Sequence, residues 1–195
     1  GENKTDKHYY GKDYFCLRSD LQRAEPQLPQ EEVSRVLLFF GGVDPAGLTG
    51  RVLNQIRGVC KELSIDIEIV VGSGNKFELV KEDGISLLRD VRDMASVLSR
   101  CDIAFTSAGR SSFEVASMHI PTIVICQNDQ ELTHSFASEE NGFLNLGKWK
   151  NITDLEIKQS FQELLDFKRR KEMSRRMSLT DLRVGKENTV KLILE

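Results

Sequence analysis

Three stretches of this sequence gather glycine, hydroxyl, amide and carboxylate residues at points where the chain is expected to reverse. They are Gly41-Gly42-Val43-Asp44-Pro45-Ala46-Gly47, Thr106-Ser107-Ala108-Gly109-Arg110-Ser111-Ser112-Phe113-Glu114 and Cys126-Gln127-Asn128-Asp129-Gln130-Glu131-Leu132-Thr133-His134. In the first, small residues let the backbone approach a ligand directly before a helix, whose free N–H groups attract phosphate. The same residues also suit a tight turn in which Asp44 caps the helix and Pro45 opens it. In the second, the N–H groups of Gly109, Arg110, Ser111 and Ser112 are expected at a helix start, with hydroxyls from Ser107, Ser111 and Ser112 nearby. That arrangement suits a diphosphate. Glu114, one turn further on, has two acceptor oxygens that match the paired hydroxyls of a ribose. The competing reading is a capping box built from Ser111 and Glu114. In the third stretch, Asn128, Asp129, Gln130 and Glu131 supply amides and carboxylates of the kind that read sugar hydroxyls, although Asn128 or Asp129 also fits a helix cap. His134 and His119 read as structural. A further turn, Val71-Gly72-Ser73-Gly74-Asn75, reads as a plain reversal near the same edge.

These loops need a scaffold that brings them together. From Val33 onward, short apolar runs alternate with amphipathic stretches, the pattern of βαβ units around a parallel sheet. Strands are predicted over 35–40, 66–71, 85–88, 102–106 and 122–126, with a sixth over 143–146. Runs such as Val36-Leu37-Leu38-Phe39-Phe40 and Ile123-Val124-Ile125 are apolar throughout, so both faces of the sheet are expected to be covered. Helices are predicted over 47–63, 94–99, 111–118, 130–139, 154–166, 169–177 and 188–194. In the first of these, Leu48, Val52, Ile56, Val59 and Leu63 recur at spacings of three and four and make one apolar face. The expected fold is α/β, a Rossmann-like doubly wound parallel sheet of about six strands. Right-handed crossovers place every strand-to-helix loop at one edge of such a sheet. Residues 1–33, rich in charge and with an aromatic cluster at Tyr9, Tyr10, Tyr14 and Phe15, read as an interdomain linker. Residues 34–195 read as the ligand-binding domain.

Composition removes several classes of function. The 195 residues carry 27 basic and 30 acidic side chains, a formal net charge of -3. Mixed along the chain, they form no basic field for nucleic acid. Cys16, Cys60, Cys101 and Cys126 stand singly, without the spacing of a zinc or redox pair, so neither metal nor cofactor is expected. No apolar run approaches the roughly 20 residues of a membrane helix, and a cytoplasmic location is expected.

Taken in order, these motifs resemble the C-terminal half of a GT-B glycosyltransferase-type protein. The resemblance is to the group that contains the UDP-sugar hydrolase of pseudaminic acid biosynthesis and the spore-coat-polysaccharide-type proteins. It is carried by the loop from Gly41, Val-Val-Gly-Ser-Gly-Asn from Val70, Asp93-Met94, the run from Ser107, Ile-Pro-Thr-Ile-Val-Ile from Ile120 and the run from Gln127. Tyr10-Gly11-Lys12-Asp13-Tyr14 with Leu17-Arg18 resembles the family's interdomain linker. The resemblance implies diphosphate binding by Ser107, Gly109, Arg110, Ser111 and Ser112, ribose binding by Glu114, and uracil at the turn ending in Met94. It further implies that Gly41, Gly42, Asn128, Asp129, Gln130 and Glu131 face the phosphates and sugar. The family's catalytic histidine belongs to an N-terminal half, for which this sequence has no counterpart, so no catalytic residue is expected here and turnover by this chain alone is not expected.

Asp129-Gln130-Glu131 stands where the hydrolase has Asn-Gln-Glu. The Gln127-Asn128 start, with Asn141-Gly142-Phe143 downstream, resembles relatives fused behind a cytidylyltransferase for nonulosonic sugars. The leading expectation is therefore a domain that binds a nucleotide-sugar, in the first instance a UDP-sugar. It would belong to a hydrolase or glycosyltransferase-like enzyme of surface-polysaccharide or nonulosonic sugar synthesis. The alternative is a non-catalytic regulatory or assembly module of a cytidylyltransferase fusion. An oxidoreductase is disfavoured because no dinucleotide fingerprint follows the first strand.

Overall fold

A computed structural model describes Tyr9 and residues 11–194. Tyr10, counted in the aromatic cluster and linker motif, lies outside the described residues. Six strands form one parallel sheet: β1 (Arg35–Phe39), β2 (Asp66–Val71), β3 (Ile85–Arg89), β4 (Ile103–Thr106), β5 (Thr122–Cys126) and β6 (Phe143–Lys148). Their order across the sheet is β3-β2-β1-β4-β5-β6, with every neighbouring pair parallel. The helices are α1 (Leu48–Glu62), α2 (Met94–Leu98), α3 (Arg110–Ser117), α4 (Asp129–Leu132), α5 (Asp154–Glu163), α6 (Phe167–Met177) and α7 (Val184–Leu194). This is the Rossmann-like α/β fold anticipated from the pattern of apolar runs.

Alternate residues of each strand feed two cores, which is why the runs are apolar throughout. Val36, Leu38, Ile67, Ile69, Ile103, Phe105, Ile123 and Ile125 pack on one face with α1 and α5. Leu37, Val70, Ala104 and Val124 pack on the other with α2, α3 and Met177. Leu17 and Leu21 belong to this second core, so the segment ahead of β1 folds back onto the domain. The fully buried Arg170 holds the end of that segment, donating 2.8 Å hydrogen bonds to the carbonyls of Gln30 and Glu31. Among the described residues, no helix is long and apolar enough to cross a membrane.

Element boundaries depart from expectation where side chains replace backbone pairing. The helix predicted over 130–139 shrinks to α4 and a 3-10 turn at Glu139–Asn141. Between them the amides of Asn141 and Asn145 take the carbonyls of Phe136 and Ala137, at 2.9 Å and 2.7 Å. These carbonyls are lost to any helical ladder. β4 starts one residue late, at Ile103; Asp102 pairs its N–H with the Arg35 carbonyl and turns its carboxylate to the N–H groups of Ser34 and Arg35, at 2.8 Å and 2.9 Å. α1 ends before Leu63, which is largely exposed, and its buried stripe runs through Leu53 and Cys60 instead.

Candidate functional site

The chain leaves β1 toward one edge of the sheet and returns through β4 toward the other, so the loops after these neighbouring strands part and leave a crevice. An open cleft of about 410 Å³ lies there. Of the residues singled out in the sequence, Gly41, Gly42, Ser107, Gly109, Arg110, Ser111, Glu114, Asn128 and Glu131 line it. Phe39, Phe40, Val43, Asp44, Pro45 and Gln127 line it as well. Ser112 is buried beside the cleft, Asp129 lines an adjoining hollow, and Gln130 is exposed on α4. Met94 is buried in the second core, and its backbone N–H donates to Asp20 at 2.8 Å. What the turn before α2 can offer a ligand is therefore the backbone ahead of Met94.

Two longer helices begin at the cleft, and they differ. At α1 the carboxylate of Asp44 accepts from the N–H groups of Leu48 and Thr49, at 2.9 Å and 2.8 Å. This corrects the simple capping turn read from the sequence. The residue at the cap position is Gly47, in the left-handed region, and Asp44 reaches in from three residues upstream with φ of 46°. An anion already sits on the start of α1. At α3 the cap position is Gly109, and no side chain caps the helix. The capping box considered for Ser111 and Glu114 is not formed, so the first N–H groups of α3 have no side-chain cap among the described residues, and the Glu131 carboxylate stands near Gly109 without bonding them.

The serines of this loop are not equivalent. Thr106 Oγ1 lies 2.6 Å from the Phe39 carbonyl and 2.7 Å from Ser111 Oγ. One hydroxyl has one proton, so Thr106 donates to the carbonyl and Ser111 donates to Thr106. Ser112 donates to the Gly109 carbonyl at 2.7 Å. Only Ser107 keeps a hydroxyl proton uncommitted among the described residues, while Ser111 contributes its backbone N–H. The loop is held from behind by His134, whose Nδ1 lies 2.6 Å from the Ala108 carbonyl and must donate to it. His134 lies beyond α4, not within a helix as its sequence position suggested.

The glycines of the turn after β2 explain that motif. A Cβ on Gly72 would come within 2.8 Å of Gly42 Cα, so only glycine lets this turn brace the Gly41-Gly42 loop. The turn supports the cleft and does not line it.

Glu114 is 7% exposed and accepts no hydrogen bond from the described residues. Burial pushes its carboxyl above the ordinary 4.5, against the pull of Arg18 and Arg110, with Asp20 adding to the rise. Arg110 lies over the Phe15 ring, 5.1 Å from its centre, and Phe15 stacks on Phe113 at 4.2 Å. For Asp20, burial works against ionisation, but the N–H groups of Ala95 and Met94 and the Arg18 guanidinium outweigh it and hold the carboxyl below the ordinary value. Asn128 caps α4 by accepting from Glu131 N–H at 3.0 Å, and the Glu131 carboxylate returns to Gln127 N–H at 2.8 Å. The second oxygen of Glu131 faces Gly109, 4.0 Å from where a Cβ would stand. Burial, with Glu131 adding, pushes the thiol of Cys126 beneath this loop up to about 11.

Gln127 belongs to the third motif but carried no individual role in the sequence. Its amide nitrogen donates to the Phe40 carbonyl at 3.0 Å and so ties the β5 loop to the end of β1. Its place directly after a buried strand was the available signal.

No family model matches the chain. In sequence it is similar to the uncharacterized protein MJ1062 of Methanocaldococcus jannaschii, at 29% identity over 66% of this chain and 28% of that protein. Solved structures share its fold. The spinosyn rhamnosyltransferase SpnG complexed with thymidine diphosphate matches with a TM-score of 0.60 and 14% identity, over 87% of this chain and 47% of that one. The glycosyltransferase of kitacinnamycin matches at 0.63 and 12%, over 91% and 46%. Acinetobacter baumannii MurG matches at 0.56 and 16%, over 90% and 52%. The chain spans about half the length of these structures. Its fold is thus the Rossmann-like α/β fold found within GT-B glycosyltransferases.

Proposed function

We propose that the cleft binds a nucleoside-diphosphate sugar. The observation that carries this reading is the pairing of an uncapped α3 with a buried, unpartnered Glu114 one turn along the same helix. The diphosphate lies against the N–H groups of Arg110 and Ser111, with the Ser107 hydroxyl donating and Arg110 alongside. The ribose hydroxyls donate to the two oxygens of Glu114, which places the base beyond it, toward the turn before α2. The α1 terminus plays no part in anion binding, because Asp44 already occupies it. The thymidine diphosphate in the SpnG structure supports this class of ligand for a protein of like fold.

In mechanism, the dipole and free N–H groups of α3 stabilise charge on a departing diphosphate. Asp44 spends both carboxylate oxygens on backbone N–H groups, Glu131 spends one, and in this reading the ribose takes Glu114. The base that activates water or an acceptor hydroxyl is assigned, as part of this proposal, to a second domain, such as the remainder of a GT-B enzyme. The motifs from Gly41, Ser107 and Gln127 favour a sugar of surface-polysaccharide or nonulosonic acid synthesis within that class, and UDP as the nucleotide. Calorimetric titration with UDP, TDP and CDP tests the reading. Saturable binding of at least one, weakened when Arg110 is replaced by proline, which suits the first helical position and removes that N–H, is the expected outcome. No heat with any of them at millimolar concentration would refute it.

A further inference from the structure

A second hollow, of about 310 Å³, adjoins the cleft and shares Pro45, Gln127 and Asn128 with it. Its far wall is Lys148, Trp149 and Lys150, at the end of β6 and in the turn that follows. That wall is fixed in place. Arg51 of α1 donates to the carbonyls of Trp149 and Ile152 and to Asp154, each at 2.7 Å, and Trp149 N–H donates to the Cys126 carbonyl at 3.0 Å. The charges in the hollow do not balance. Lys148 is paired with Asp129, the one carboxylate that lines it, whereas the Lys150 ammonium lies 5.4 Å from the centre of the Trp149 ring and has no carboxylate partner among the described residues.

We propose that this hollow receives the sugar of the nucleotide-sugar, and that the sugar it selects is acidic, a pyranose bearing a carboxylate that Lys150 pairs. The proposal rests on the diphosphate lying at α3, since the hollow is then the walled space continuous with the phosphates. The Asp129 and Lys148 pair accepts from and donates to ring hydroxyls. The indole of Trp149 offers apolar surface to the ring carbons. A neutral hexose leaves the Lys150 charge to water, whereas a carboxylate pairs with it.

The test is calorimetry of UDP, UDP-glucose and UDP-glucuronate at low salt, on the wild type and on Lys150→Met, which keeps the stem and removes the charge. The wild type is expected to bind UDP-glucuronate about three- to fivefold more tightly than UDP-glucose, the range of a partly exposed ion pair. In Lys150→Met the two affinities are expected to converge while that for UDP stays unchanged. Equal affinities for the two sugars in the wild type, with UDP bound, would overturn the acidic-sugar assignment alone. A preference that persists in Lys150→Met would overturn the role of Lys150. Absence of binding by all three would remove the diphosphate reading, and this proposal with it.

Discussion

Replacing Glu114 by glutamine separates a binding role from a folding role, because the two predict opposite signs. In the free protein this side chain is largely buried and receives no hydrogen bond from the described residues, and its pKa is raised chiefly by burial. Below the unfolded-state value both states are protonated and the group is neutral in its effect. As pH rises the unfolded chain ionises first, the folded state holds the extra proton, and stability falls through the folded-state pKa. Glutamine has no such titration. Glu114→Gln is therefore expected to melt higher than wild type at pH 7, by about 2–4 °C for each kcal/mol gained in a domain of this size. The difference should shrink to nothing as pH falls below the ordinary carboxylate range. Nucleotide binding moves the other way. Hydrogen bonds to a charged group contribute about 1.5–3 kcal/mol, so loss of the charge and of one acceptor is expected to weaken Kd by about 10- to 150-fold. Thermal melts across pH and UDP calorimetry read both quantities on one pair of proteins. A variant that melts lower at pH 7 and binds nucleotide normally would show Glu114 to be a structural residue and refute the ribose assignment.

Two further outcomes follow from the hydrogen-bond directions and from the contact between loops. Ser107→Ala is expected to weaken nucleotide binding by about 1 kcal/mol with little change in melting temperature, whereas Ser112→Ala, which releases only the Gly109 carbonyl, should cost stability more than affinity; equal effects on Kd would mean that the serine hydroxyls are not ranked as the geometry ranks them. Gly72→Ala puts a methyl 2.8 Å from Gly42 Cα, so a destabilisation of about 1–3 kcal/mol with loss of nucleotide binding is expected in denaturant unfolding and calorimetry, and an unaffected protein would show that the turn after β2 does not brace the Gly41-Gly42 loop.

The strands were legible in the sequence because each is a short β-branched or aromatic run bounded by turn residues, and a parallel sheet buries both of its faces. Once the strands are placed, the rule that strand-to-helix loops share one edge brings Gly41, Ser107, Glu114 and Asn128 together without any tertiary information. Helix ends were less legible: the stretch after α4 has helical composition, yet Asn141 and Asn145 take its carbonyls from positions the local pattern does not reveal.

Which of those loop residues remain free to act was decided by how the loops fold on the assembled sheet. Glycine-rich loops precede both α1 and α3, but the Asp44 carboxylate neutralises the first and nothing caps the second. Three serines look alike in the α3 loop, but Thr106, itself drawn to the Phe39 carbonyl of β1, engages Ser111, and the Gly109 carbonyl engages Ser112. Lys148, Trp149 and Lys150 carry no motif, and they reach the ligand edge because Arg51, on a helix about a hundred residues earlier, pins their turn beside Gln127. Local sequence sets which groups are offered, through periodicity and backbone preference. Whether an offered group is spent or available depends on the loop geometry that the assembled sheet imposes, through contacts such as Thr106 with the Phe39 carbonyl and Arg51 with the turn after β6.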